Sequence, residues 1–154
     1  MPSIDVTDHV VIDARREAVF PVLCDYPRVR DWFPGYRIDL LTDGAVGEGA
    51  RLRHEMAAGG GLMTTRFVRT IRRFEPPSLI EETYDEGDLL GRGCWSLESR
   101  GDGATQVSYR CAVRSNTPWM HLGVALTGHW GHSWVYQRLL RALKARVEGG
   151  VFAT

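Results

Sequence analysis

Six segments of alternating apolar character follow one another between Tyr36 and Val113, each closed by a turn signal, and one long helical pattern comes after them. The segments are Arg37–Leu41, Ala50–Met56, Thr64–Phe74, Leu79–Tyr84, Gly91–Ser99 and Thr105–Val113. The turns between them are Asp43-Gly44 with Gly47 and Gly49, then Gly59-Gly60-Gly61, Pro76-Pro77, Glu86-Gly87-Asp88 and Gly101-Asp102-Gly103. Strands joined by connections this short must pair antiparallel. Val6, Val10 and Ile12 alternate within Ile4–Ile12 and predict a first strand that closes the sheet against the last one. Thr117-Pro118 supplies an N-cap residue and a first-turn proline for the final helix, predicted over Thr117–Glu148 and stopped by Gly149-Gly150.

Between the first two strands the spacing changes to that of helices. Arg15–Cys24 places Val19, Phe20, Val22 and Leu23 at helical intervals, with Pro21 predicting a kink or a late start. Tyr26-Pro27 breaks the chain, and Val29–Phe33 predicts a second short helix stopped by Pro34-Gly35. The expected class is α+β: a curved seven-stranded antiparallel sheet wrapped around a long C-terminal helix, with two short helices between strands one and two. At 154 residues with no repeat or low-complexity linker, residues 1–154 are expected to form one domain.

One face of the final helix changes character along its length. His129, His132 and Tyr136 share it with Leu139, Leu140, Leu143 and Val147 at 100° per residue. The aliphatic half predicts core, and the polar half predicts the wall of a cavity. Trp130 and Trp134 fall about 40° apart on the other side, beside Gln137, Arg141 and Glu148. Tryptophan on a polar face needs a cover. The loop before the helix is the default; a homodimer contact and the cavity entrance are the alternatives.

Composition removes several function classes. Lys plus Arg equals Asp plus Glu, at 19 each, and the basic residues form no stripe, so no nucleic-acid partner is expected. The longest apolar-leaning stretch, near Trp119–Leu126, is too short for a bilayer span. Cys24, Cys94 and Cys111 have no CxxC spacing and read as small buried hydrophobes in a reducing, cytoplasmic setting. No secretory signal pattern opens the sequence.

Val10–Gly35 ("VVIDARREAVFPVLCDYPRVRDWFPG"), Val46–Arg53 ("VGEGARLR"), Gly91–Ser99 ("GRGCWSLES") and Gly103–Arg110 ("GATQVSYR") carry a resemblance to the START-like, helix-grip superfamily. That superfamily, also called SRPBCC, includes polyketide cyclases, coenzyme Q-binding proteins and lipid-transfer domains. With the closing helix the resemblance covers nearly the whole chain, and Asp25-Tyr26 and Trp32 occupy its usual helix-to-strand corner. It implies an apolar or amphipathic ligand held between sheet and helix, and no cofactor. It does not imply catalysis, because only some members are enzymes.

The candidate site residues follow from strand periodicity. Thr65, Phe67, Arg69 and Ile71 share one face of their strand. Phe67 and Ile71 point to that face as inward, which places the Arg69 guanidinium inside to bind a carboxylate, enolate or phenolate oxygen; a different register would leave Arg69 on the surface. Glu82 and Tyr84 share a face with Ile80, so Glu82 is expected to pair with Arg69 across neighbouring strands. Tyr109 lies with Val107, Cys111 and Val113; Trp95 is expected at the cavity floor; His54 is a further inward histidine. His129 and His132, three apart, can converge on one spot, but a metal site is not expected because a third ligand is missing. Gly59-Gly60-Gly61 with Leu62-Met63 is expected at the cavity mouth.

Three readings follow. The leading one is binding of a hydrophobic or aromatic small molecule (lipid, polyketide or quinone-like) through His54, Phe67, Arg69, Glu82, Tyr84, Trp95, Tyr109, His129, His132 and Tyr136. The second is a cofactor-independent cyclase in which Arg69 stabilises an enolate while Glu82, Tyr84 or His129 moves the proton. The third is a protein-interaction module, which predicts an exposed apolar patch and a small, filled interior; a packed interior argues against the first two.

Overall fold

The computed structural model describes residues 3–58 and 61–150; the side chains of Ala58 and His129 and the tip glycines Gly59 and Gly60 lie outside the described residues. Seven strands form one antiparallel sheet in the order β1-β7-β6-β5-β4-β3-β2. They are β1 (Ser3–Ile12), β2 (Tyr36–Leu40), β3 (Arg51–Ala58), β4 (Met63–Glu75), β5 (Leu79–Gly87), β6 (Leu89–Arg100) and β7 (Ala104–Ser115). Two short helices, α1 (Arg16–Cys24) and α2 (Val29–Trp32), are joined by a 3-10 turn at Tyr26–Arg28, and α3 (Pro118–Gly150) closes the chain. Every strand expected from alternation is present, with ends within a few residues of the expected ones.

Two register shifts bend the centre of the sheet. The β4–β5 pairing steps from Val68↔Glu86 to Arg69↔Tyr84, and from Ile71↔Glu82 to Arg73↔Glu81. Each shift leaves one residue unpaired, which increases local twist and bends the strand. Both keep Arg69, Ile71, Glu82 and Tyr84 buried on the concave face. On β6 the corresponding places are Gly91, opposite Tyr84, and Gly93, opposite Glu82. A Cβ on Gly93 would stand 2.3 Å from the Tyr109 hydroxyl, so glycine at this position makes the room that Tyr109 fills.

Pro21 is tolerated within a continuous α1, where its ring is exposed while Val19, Phe20 and Leu23 pack into the core. The helix starts at Arg16, so the late start offered as one alternative does not occur; burial of three apolar side chains outweighs one lost backbone hydrogen bond. The final helix departs from expectation in the other direction. Its backbone is non-helical at Gly128 (φ 55°, ψ −139°), a conformation open to glycine and strained for other residues. Residues 118–127 thus form a first arm distinct from the remainder.

The second arm of α3 lies along β1. Leu139, Leu140, Leu143 and Val147 are buried as the split face predicts. Lys144 donates to the Val11 carbonyl, Glu148 accepts from the Asp13 amide, and Ser133 and Gln137 donate to the buried carboxylate of Asp8. These contacts occupy an edge strand that would otherwise offer free backbone groups. The first arm is anchored by Asp88, whose carboxylate accepts from the Arg66 amide, the Thr117 hydroxyl and the Trp119 indole.

Candidate functional site

The concave face of the sheet and the middle of α3 enclose a connected cluster built on Arg69. Its Nη1 lies 3.2 Å from Glu82 Oε2, with both side chains almost wholly buried. Its Nη2 donates to the hydroxyls of Tyr84 and Tyr136, each at 2.6 Å. Tyr84 also bonds the Tyr109 hydroxyl and lies 3.6 Å from Cys111 Sγ. The guanidinium carbon stands 4.5 Å from the centre of the Tyr84 ring and 4.9 Å from that of Phe67, a distance at which desolvated cation–π attraction contributes.

Aromatic packing carries the cluster from the sheet to the helix. Trp95 meets Tyr109 at 4.4 Å between centroids, Tyr109 stacks on Tyr136 at 4.6 Å, and Tyr136 stacks on His132 at 4.4 Å. On the other flank Phe67 contacts Tyr84 and stacks on His54 at 5.1 Å. Of the expected site residues, His54, Phe67, Arg69, Glu82, Tyr84, Trp95, Tyr109 and Tyr136 are buried in this one cluster, and half-buried His132 joins it from the helix. The expectation for His129 falls on a side chain outside the described residues.

Desolvation dominates the electrostatics. It raises the pKa of Glu82 above the usual carboxylate value, although the Arg69 charge and hydrogen bonds from Arg69 and Trp95 pull the other way. It raises Tyr84, Tyr109 and Tyr136, so all three hydroxyls keep their protons at neutral pH. Burial, helped by the Arg69 charge, holds His54 well below an ordinary histidine, and its imidazole is neutral. The Cys111 thiol is pushed to about 11, chiefly by burial, and is not a ready nucleophile.

Several expectations need correction. The open cavity expected between sheet and helix is reduced to about 20 Å3, lined among others by Tyr26, Trp32, Tyr36, His54, Arg69, Trp95 and Leu139. The reason is steric: the aromatic side chains that were expected to line a space fill it instead. Leu139, expected as core below the cavity, is part of its wall. Among the described residues Trp130 and Trp134 are left largely uncovered, at 87% and 63% exposed, and Arg138 reaches over the Trp134 ring. Cys24 and Cys94 are half-buried rather than fully buried.

Sequence reasoning missed Tyr36, Gly93 and Gly128. The Tyr36 hydroxyl meets His54 Nδ1 at 2.6 Å within the core. Its signal was the alternation Tyr36-Ile38, opposite Met56 and His54 on the neighbouring strand. A larger groove, about 570 Å3, lies on the opposite, outer face of the sheet; Glu82 and Gly93 are among its lining residues, and its Arg72 and Arg110 are paired with Asp85 and Asp5.

Among the described residues no helix is long and apolar enough to cross a membrane. Three solved structures share the fold over nearly their whole lengths. TTHA0849 from Thermus thermophilus superposes with a TM-score of 0.77 at 16% identity, covering 97% of this chain and 99% of that one. A START superfamily protein from Mycobacterium smegmatis gives 0.73 at 19% identity, covering 94% and 97%. The Zhui aromatase/cyclase from Streptomyces sp. R1128 gives 0.72 at 18% identity, covering 97% and 96%. No curated protein matches by sequence. The family model described as polyketide cyclase / dehydrase and lipid transport matches residues 3–148, and with the helix-grip sheet, the α3 clasp and the buried Arg69 cluster this chain belongs to that START-like family.

Proposed function

We propose that this chain binds a hydrophobic or aromatic small molecule between the concave sheet and α3, with a ligand oxygen held at the Arg69 cluster. The observation that carries the reading is a buried polar cluster with hydrogen-bonding capacity left over. Arg69 bonds the Tyr84 and Tyr136 hydroxyls and faces Glu82, yet Arg69 Nε and Glu82 Oε2 have no hydrogen-bond partner among the described residues. A buried ion pair is a weak source of stability compared with an apolar replacement. Its presence in an aromatic interior supports a role in recognition.

Admission requires displacement, because about 20 Å3 holds no more than a water-sized group. The walls of that space include Tyr26, Trp32, Tyr36 and Leu139 and no residue of 118–127, so these walls themselves must move. Native mass spectrometry of the freshly purified chain tests the reading: an extra mass that disappears on denaturation is expected. A bare chain that also fails to take up an aromatic hydrocarbon would overturn it.

A cofactor-independent cyclase is the catalytic version of the same reading. Arg69 and the protonated hydroxyls of Tyr84 and Tyr136 would stabilise a developing enolate, and Glu82, with its raised pKa, would take the proton. The small interior and the exposed Trp130 and Trp134 favour the interaction-module reading instead, with a second copy of the chain as the proposed partner. A cytoplasmic location is proposed from the three free cysteines.

A further inference from the structure

The groove of about 570 Å3 on the outer face of the sheet has a floor of short side chains and a rim of long ones. Thr83 on β5, Cys94 on β6 and Ala112 on β7 are half-buried and make the floor. Arg72, Glu81, Arg92 and Arg110 stand round it. Strand pairing explains the shape. Thr83, Arg92 and Ala112 lie opposite one another in one row across the sheet, and Glu81, Cys94 and Arg110 in the next. Directly opposite residues share a face of an antiparallel sheet, so the short and long side chains of these two rows meet on the outside.

Most of the charge on this face is cancelled locally. Arg72 donates through Nε to the Thr83 hydroxyl and lies 3.5 Å from Asp85. Asp5, opposite Ala112 on β1, holds Arg110 with both carboxylate oxygens, at 3.1 and 3.0 Å. Glu81 faces Arg73 at 3.7 Å, and the Glu82 carboxylate turns inward to Arg69. Arg92 and Arg114 are different: both are exposed, and neither guanidinium has an ion-pair partner or hydrogen bond among the described residues. Arg92 pairs with Ala112, and Arg114 lies two residues beyond Ala112 on the same face of β7. The two are diagonal neighbours with backbones about 7–8 Å apart. Unpaired like charges so placed repel one another, and an anion between them turns that repulsion into attraction.

Charge then narrows the class. Two uncompensated guanidiniums match a dianion. A carboxylate brings one negative charge, whereas a phosphomonoester brings nearly two at neutral pH and has three acceptor oxygens suited to the guanidinium fork. The floor from Ala112 to Cys94 and Thr83 has room for the organic part beside the phosphate. We propose that this groove binds a small phosphomonoester, its phosphate between Arg92 and Arg114 and its organic group laid over Ala112 toward Cys94 and Thr83. The site is separate from the interior and independent of the binding function proposed above.

Calorimetric titration at low salt with phenyl phosphate, inorganic phosphate and benzoate tests the site. Phenyl phosphate is expected to bind most tightly. Inorganic phosphate should bind more weakly because it makes no contact with the floor, and benzoate about tenfold more weakly because it carries about half the charge. Arg92→Gln and Arg114→Gln should each weaken phenyl phosphate about tenfold, the loss of one charge-assisted contact. Arg100→Gln, at the other end of β6, should leave it unchanged. Amide NMR shifts on adding phenyl phosphate should centre on Arg92, Ala112 and Arg114. Shifts centred on the Arg69 cluster, an affinity unchanged in both site variants, or benzoate binding as tightly as phenyl phosphate would each overturn the proposal. Equal binding of the two phosphates would overturn the role of the floor and with it the phosphomonoester. If neither phosphate binds, the groove proposal falls while the interior binding function stands.

Discussion

Removing Glu82 alone should damage this protein more than removing Glu82 and Arg69 together. In Glu82→Leu the guanidinium stays 2% exposed and loses the carboxylate 3.2 Å away. Breaking a buried pair by deleting one partner costs about 3–5 kcal/mol. For a chain of this size each kcal/mol moves the melting temperature by about 2–4 °C, so the midpoint should fall by roughly 6–20 °C. The double variant Arg69→Met, Glu82→Leu removes both desolvation costs. It leaves the Tyr84 and Tyr136 hydroxyls each short of one donor, a loss of about 0.5–1.5 kcal/mol apiece. The double variant should therefore lie within about 1–3 kcal/mol of the parent and above Glu82→Leu. Arg69→Met alone strands Glu82, whose pKa burial already raises. A carboxyl whose folded pKa is raised contributes stability that is present below its unfolded value and lost as pH rises through the folded one. Arg69→Met should accordingly lose more stability at about pH 8 than at about pH 5. Urea unfolding of the four chains at both pH values reads all of these quantities. A double variant as unstable as Glu82→Leu, or a Glu82→Leu loss below about 1 kcal/mol, would refute the reasoning.

Three further outcomes are expected. His54 is held well below 6.5 in the fold, so stability present at neutral pH should fall as pH drops through the unfolded histidine value of 6.5. The slope for one proton is at most about 1.4 kcal/mol per pH unit, and His54→Phe should flatten it in urea titrations at stepped pH. Asp88→Ala should cost about 2–4 kcal/mol, since one buried carboxylate anchors the Arg66 amide, Thr117 and Trp119; amide exchange should rise first in the opening turns of α3, and uniform exchange along that helix would count against the anchoring role. The proposed homodimer should sediment as two chains and revert to one in Trp134→Lys, while a single-chain mass for the unaltered protein would remove it.

Much of the site was legible before the fold was seen because the strands obey period two. Phe67-Arg69-Ile71, Ile80-Glu82-Tyr84 and Val107-Tyr109-Cys111 each mix apolar and polar groups on one face, and apolar neighbours identified that face as inward. The Arg69–Glu82 pair followed because a buried carboxylate needs a partner. Tyr36 was harder to find: its strand is only five residues long, and its role depends on pairing with β3, which local pattern does not reveal. Gly93 is informative only through what its missing side chain admits, namely the Tyr109 hydroxyl. Gly128 lies within a 33-residue helical pattern and costs about 1 kcal/mol as an ordinary helical glycine, so nothing nearby announces a break.

The size of the interior was the largest departure, and it has a physical source. Counting inward residues says which side chains share a space, not whether they leave any of it empty. Close packing fills a curved sheet's concavity unless something holds the walls apart, and here Trp95, Tyr109, Tyr136 and His132 stack in an unbroken series from strand to helix. The polar atoms buried in that packing are the ones an apolar core would lack. A core selected for stability alone could replace Arg69 and Glu82 by aliphatic groups at a cost of only about 1–3 kcal/mol. Keeping them, with one nitrogen on Arg69 and one on His54 unpartnered beside the last 20 Å3 of space, is consistent with an interior that rests closed and is completed by a ligand. The break at Gly128 separates residues 118–127 from the Leu139–Val147 segment, whose Leu139 is a wall of that space. Alanine is strained at φ 55°, ψ −139°, so Gly128→Ala should cost about 1–3 kcal/mol, and a urea midpoint equal to the parent's would refute the strain at the break.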